Sequence, residues 1–167
     1  MPLLARVMFG LVNFAARRGL SDSESARAAA PRDSVSQAKR AARRTGVRGE
    51  TYAYWFLRRH GYVLVARNYT RSGVKGEIDL VGYDGAVLAF IEVKTRAAEK
   101  NFRALPEDSI TPAKQRALAR IARSFLSERR ATEAPWRFDV LALETTPGRR
   151  PVVRLHKGAF ALRPHSP

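Results

Sequence analysis

Asp79, Glu92, Lys94 and Glu77 have the types and spacing to hold a cation, and all four lie in the stretch Gly76–Arg96. Two apolar, β-branched runs flank Asp84-Gly85 within it. Asp-Gly between such runs is a strong hairpin signal, because a type I′ turn needs positive φ at both central residues. With those two residues as the loop, Tyr83 pairs with Ala86, Val81 with Leu88, Asp79 with Phe90 and Glu77 with Glu92. Side chains alternate between faces along a strand, so Glu77, Asp79, Glu92 and Lys94 share one face. Asp79 and Glu92 become diagonal neighbours with Cα atoms about 7–8 Å apart. Two carboxylates so placed can converge on one divalent ion.

The opposite face carries Ile78, Leu80, Val87, Ala89, Ile91 and Val93 and reads as core. Carboxylates ~6 Å apart repel by roughly 3 kcal/mol at an effective dielectric of ~20. Lys94, a metal ion, or the neighbouring Arg71 and Lys75 are candidates to offset that. The plainer alternative is a solvated face of mixed charge. Against it, the residues before Glu92 (Leu88, Ala89, Phe90, Ile91) are apolar at every position, as in a central strand.

Asp79 followed thirteen positions later by Glu92-x-Lys94 resembles the PD-(D/E)xK nuclease superfamily, with Ile78 where that pattern has proline. The wider text is similar to the YraN family of small bacterial proteins. The matching segments are Arg48-Gly49-Glu50, Gly61-Tyr62, Gly76-Glu77-Ile78-Asp79-Leu80, Phe90-Ile91-Glu92-Val93-Lys94-Thr95-Arg96, and Thr111-Pro112 before a basic helix. They cover roughly Gln37 to Phe160. The resemblance implies a fold like that of archaeal Holliday-junction resolvases. By the same resemblance the substrate is branched or junction DNA and the protein is a homodimer.

Among 167 residues there are 31 Lys and Arg against 15 Asp and Glu, a formal net charge of +16 and a pI near 11.3. From Gly49 onward 21 basic residues stand against 12 acidic, so the charge is not confined to the N-terminal segment. Most of the basic residues are Arg, whose planar fork suits phosphate. Nucleic acid is the partner this charge fits best, an anionic membrane surface the second. No apolar run reaches the ~20 residues of a bilayer span, so no stable membrane insertion is expected and the chain reads as cytoplasmic. The absence of cysteine excludes disulfides and thiolate metal sites. The three histidines show no ligand spacing, and there is no P-loop, dinucleotide fingerprint or internal repeat.

Residues 1–36 read as a basic tail and linker, and 37–167 as one domain. Met1–Leu20 has apolar residues at helical spacing, which also fits a short amphipathic helix, a weak signal sequence or an upstream extension of the true start. Thr51–His60 reads as a helix ending at Gly61. Glu50 sits at its start, on the stripe of Ala53, Tyr54 and Leu57. It is either an acid favoured by the helix dipole or a third carboxylate facing Asp79 and Glu92, and the family match favours the latter. Tyr62–Asn68 reads as a strand, Tyr69–Lys75 as a basic loop, and Ala97–Ile110 as a loop. Thr111 and Pro112 are good N-cap and first-turn residues. Leu118, Ile121, Ala122, Phe125 and Leu126 form a buried stripe. Trp136–Glu144 and Val152–His156 read as strands about a Pro147-Gly148 turn, and Asp139 as a satisfied structural acid.

The order helix, strand, hairpin, helix, strand, strand predicts an α/β fold: a mixed central β-sheet flanked by helices, restriction-endonuclease-like by resemblance. The expected function is a metal-dependent DNA endonuclease. Mg²⁺ or Mn²⁺ suits hard carboxylate donors. Asp79 and Glu92 would be the metal ligands, with the carbonyl of Val93 and with Glu50, while Lys94 steadies water or phosphate. Glu77 is a weaker ligand candidate. Gln115 is a candidate because similar nucleases place a polar residue there. Arg71, Lys75, Arg96 and Lys114 are candidates for nucleic-acid contact. The alternative is a non-catalytic nucleic-acid-binding module that keeps the fold.

Overall fold

The computed structural model describes the backbone of residues 34–97 and 110–161, and the side chains of 45–97 and 110–161. The expectations for residues 1–33 and for the 98–109 loop lie outside the described residues. The elements in chain order are α1 (Ser34–Arg59), β1 (Val63–Arg71), β2 (Val74–Asp84), β3 (Val87–Ala97), α2 (Pro112–Glu128), β4 (Trp136–Thr145) and β5 (Val152–Phe160). The strands form one sheet in the order β1-β2-β3-β4-β5. All neighbours are antiparallel except β3 and β4. A parallel pair needs a crossover, and the segment containing α2 supplies it. This is the mixed α/β sheet the element order predicted.

Both faces of the sheet are covered. Leu80, Ala89, Ile91 and Leu141 pack with Ala53 and Leu57 of α1. Val81, Leu88, Phe90 and Val140 pack with Leu118, Ile121 and Phe125 of α2. The expectation of one apolar and one charged face therefore holds only at the end of the hairpin. Further along, the acid-bearing face of β3 is core as well, and β3 is the central strand. Each large apolar side chain of the α2 stripe contributes roughly 1.5–3 kcal/mol by burial. Thr111 caps α2 as expected, its hydroxyl accepting from the Lys114 backbone N–H at 3.3 Å.

Three local readings are corrected. First, α1 begins at Ser34, inside the segment read as linker, and runs unbroken through Gly46 and Gly49. It stops where Gly61 takes φ +92 and the Tyr62 N–H returns to the Leu57 carbonyl. Second, the expected basic loop at Tyr69–Lys75 is a tight β1–β2 hairpin, with Arg71 paired to Val74 and Gly73 at φ +78. Third, the β2–β3 turn is Gly85-Ala86, because Asp84 pairs with Val87 and Tyr83 with Leu88. Asp84 is held in its strand end by Arg137 Nη2 at 2.5 Å and Lys157 Nζ at 2.7 Å. Gly85, at φ +62, occupies the first turn position instead.

Asp139 is the structural acid expected. Its carboxylate accepts from Arg137 Nε at 2.8 Å, the Gly158 N–H at 2.9 Å and the Tyr62 hydroxyl at 3.3 Å. It fills the gap in the β4–β5 ladder where Phe138 pairs with Phe160 but Val140 with His156.

Candidate active site

The turn shift moves the acids closer than the sequence predicts. Continuing the β2–β3 register one step beyond Leu80↔Ile91 sets Asp79 directly opposite Glu92, not diagonal to it. The regular ladder stops there. In its place the Val93 backbone N–H donates to Asp79 Oδ2 at 2.6 Å. The side-chain alternation of the strand also slips by one residue at this point. Ile78 packs under α2 while Leu80 packs under α1, and on β1 the residue facing this step, Asn68, has φ +48. Asp79 thus occupies an irregular step whose side chain takes over a main-chain role.

Asp79 and Glu92 are 8% and 6% exposed, so two carboxylates lie almost buried at the floor of one open cleft of about 470 Å³. Glu50, Glu77, Val93, Lys94 and Lys114 line the same cleft. Lys94 Nζ lies 2.8 Å and Lys114 Nζ 3.3 Å from Glu92 Oε1. Glu92 Oε2 is buried and has no hydrogen-bond partner. Burial, the Glu92 charge and, more weakly, Glu50 raise the Asp79 carboxyl to about 7, against the opposing pull of the Val93 N–H and Lys114. The site therefore carries more negative charge than its own groups stabilise.

Gly49 explains how Glu50 reaches this place. A Cβ on Gly49 would sit 1.9 Å from Thr95 Oγ1, so only glycine lets α1 lie this close to β3. The cleft also includes Thr45, Gly46 and Thr95, which sequence reasoning did not single out. Gly46 is four residues before Glu50, so helical spacing finds it once α1 is extended.

Other candidates lie elsewhere. The Gln115 amide donates to the Ile110 carbonyl at 3.1 Å, and Gln115 does not line the cleft. Arg71 is ion-paired with Glu128 at the far end of α2, roughly 21 Å along the helix from Lys114 at 1.5 Å per residue. Lys75 and Arg96 are exposed and outside the cleft lining.

Among the described residues no three or more His, Cys, Asp and Glu side chains are arranged to hold a metal ion. The donors that do meet, two hard carboxylates of which Glu92 has a partnerless buried oxygen, fit an ion that keeps much of its water. Mg²⁺ is usually bound through one or two carboxylates, with water and phosphate oxygens completing its shell.

The architecture is an α/β fold consistent with the restriction-endonuclease-like class. The chain belongs to the uncharacterised protein family UPF0102, whose model matches residues 49–143, a span holding both acids, both lysines and Glu50. It is 44% identical over 119 residues to a UPF0102 protein of Symbiobacterium thermophilum, covering 71% of this chain and 97% of that one. A UPF0102 protein of Koribacter versatilis is 40% identical over 119 residues, 71% of this chain and 80% of its own. A third, from Geobacter sulfurreducens, is 36% identical over 117 residues, 70% and 88% of the two chains. Neither the family description nor these names states an activity. No helix among the described residues is long and apolar enough to cross a membrane.

Proposed function

We propose that this protein is a divalent-metal-dependent DNA endonuclease that hydrolyses phosphodiester bonds. The observation that carries the reading is the near-buried pair Asp79 and Glu92, with Glu92 Oε2 lacking a partner and two ammonium groups beside it. Asp79 and Glu92 are the residues that would hold Mg²⁺ or Mn²⁺, with Glu50 and the Val93 main chain as further contributors. A bound ion of that kind polarises a phosphate and lowers the pKa of a coordinated water. Asp79 is kept in one orientation by the Val93 N–H. Lys94 is positioned by Glu92 to meet charge developing on the phosphate, where a preorganised cation is worth most. The excess of basic residues draws the DNA backbone without regard to sequence. The resemblance to junction resolvases supports branched DNA as the preferred substrate and a homodimer as the working form.

A second reading is a nucleic-acid-binding module without chemistry. What favours it is that Lys94 and Lys114 both stand beside Glu92 Oε1 and offset its charge themselves. One assay separates the two. A labelled four-way junction, with duplex and single-strand controls, is incubated with Mg²⁺, Mn²⁺ or EDTA and with wild type or Glu92→Gln. Cleavage that needs the metal and disappears in the variant is the expected result. Salt-sensitive binding without cleavage in either metal selects the binding module.

A further inference from the structure

We infer that a nucleic-acid strand leaving the cleft is gripped by a track of two guanidinium groups with no carboxylate partner among the described residues, Arg67 of β1 and Arg58 of α1, mounted on the ring of Tyr54; this rests on the cleft being the site where nucleic acid binds. Glu50, Tyr54 and Arg58 lie four residues apart on α1, so they form a row that starts at the cleft wall. At 1.5 Å per residue, Arg58 is about 12 Å along the helix from Glu50. The Arg58 Cζ lies 5.7 Å from the Tyr54 ring centre and 5.5 Å from that of Trp55, and its Nη1 donates to the Tyr54 hydroxyl at 3.0 Å. From the neighbouring strand, the Arg67 Cζ lies 4.9 Å from the same Tyr54 ring, and its Nη2 donates to Thr51 Oγ1 at 3.5 Å.

Two like charges thus share one aromatic ring. Three other arginines are neutralised by carboxylates: Arg71 by Glu128, Arg137 by Asp84 and Asp139, Arg154 by Glu144. Among the described residues no carboxylate pairs with Arg58 or Arg67, and both are exposed. The aromatic ring and the hydroxyls fix the two forks in place without cancelling their charge. A fixed, planar, uncompensated guanidinium is suited to phosphate, the anion it can meet with two parallel hydrogen bonds. A duplex strand advances 3.4 Å per nucleotide, so the row spans about three to four nucleotides from the cleft. The track lies on the α1 side of the cleft, not at Arg71, whose charge is spent on Glu128.

The test measures binding in EDTA, so that it does not depend on cleavage. Fluorescence anisotropy of a labelled duplex is followed across a salt series for wild type, Arg58→Gln/Arg67→Gln, Tyr54→Phe and Arg71→Gln. The double variant is expected to flatten the log–log salt dependence by about 2, near one for each lost phosphate contact. Tyr54→Phe is expected to weaken binding while keeping the wild-type slope, because the charges remain and only the hydroxyl that orients Arg58 is lost. Arg71→Gln is expected to leave the slope unchanged. A double variant with the wild-type slope overturns the track, as does an equal loss in Arg71→Gln or a wild type that does not bind. A flattened slope together with no cleavage by wild type keeps the track and removes the nuclease reading. Cleavage with an unflattened slope does the reverse.

Discussion

The backbone N–H of Val93 donates to the side chain of Asp79 at 2.6 Å, where a strand ladder would ordinarily pair it with a carbonyl. One acid is thereby locked toward the strand that carries the other.

Burial beside the Glu92 charge, working against this bond, gives Asp79 a pH signature. The Asp79 carboxyl is raised from an ordinary 3.8 to about 7 in the folded protein. The folded state then binds its proton more tightly than the unfolded state. The contribution of Asp79 to stability is highest below about 4, falls as pH rises to about 7, and is level beyond it. Asp79→Asn keeps an acceptor for Val93 and removes the charge. The metal-free variant should melt several degrees above wild type at pH 8, with the gap closing toward pH 4. Thermal melts in EDTA across this range check it, and a gap that does not change with pH contradicts it.

Divalent ions should stabilise wild type and leave the acid variants unmoved. Mn²⁺ at a hundred times its dissociation constant stabilises a protein that binds it by about 2.7 kcal/mol. Wild type should therefore melt higher with Mn²⁺ at pH 8, and Asp79→Asn and Glu92→Gln should not respond. A shift retained in both variants would put the ion elsewhere.

Lys114 and Lys94 should prove unequal despite sharing Glu92 Oε1. Lys114 comes from the first turn of α2 and stands 3.3 Å away, against 2.8 Å for Lys94. Lys114→Met removes one competing cation from a nearly buried acid. Mn²⁺ affinity without DNA should rise roughly tenfold, about 1.4 kcal/mol and well within the Coulomb energy of such a pair. Isothermal titration calorimetry measures this directly. Lys94→Met should cost cleavage instead.

Gly49→Ala should damage the protein out of proportion to one methyl group. The added carbon would lie 1.9 Å from Thr95 Oγ1, and overpacking of this kind costs roughly 1–3 kcal/mol. Urea denaturation should show the loss, and adding Thr95→Ala should recover part of it.

Asp139→Ala should destabilise by roughly 3–5 kcal/mol, since Arg137 would lose its fully buried partner. Denaturant melts read this, and a loss below about 1 kcal/mol would mean that the network contributes no more than a surface pair.

Much of this was legible in the chain. Apolar runs of strand period placed β1 to β5, and the Thr111-Pro112 start and the Leu118–Leu126 stripe placed α2. Type and spacing point to Asp79, Glu92 and Lys94, the family resemblance adds Glu50, and the structure brings all four to one cleft. What was not legible came from long-range contacts. Asp84 reads as a turn residue until Arg137 and Lys157, more than fifty positions away, hold it in a strand. That one-residue slip turns a diagonal pair of acids into a facing pair. Ser72-Gly73 makes the β1–β2 turn, while the basic residues around it make the stretch read as a loop. The length of α1 is hidden by Gly46 and Gly49, which weaken a helix by propensity; Gly49 is held here by close packing against Thr95.

Glu92 stands on the strand that is sandwiched by helices and flanked by neighbours on both edges. An exposed hairpin could relieve two crowded carboxylates by fraying. This strand has nowhere to go, so the strain between Asp79 and Glu92 is relieved only by exchanging what sits between them: a proton, an ammonium group or a metal ion. On the proposed function the cleft would change its occupant while its backbone stays put, and a metal-loaded form should superimpose on the metal-free one along β2 and β3.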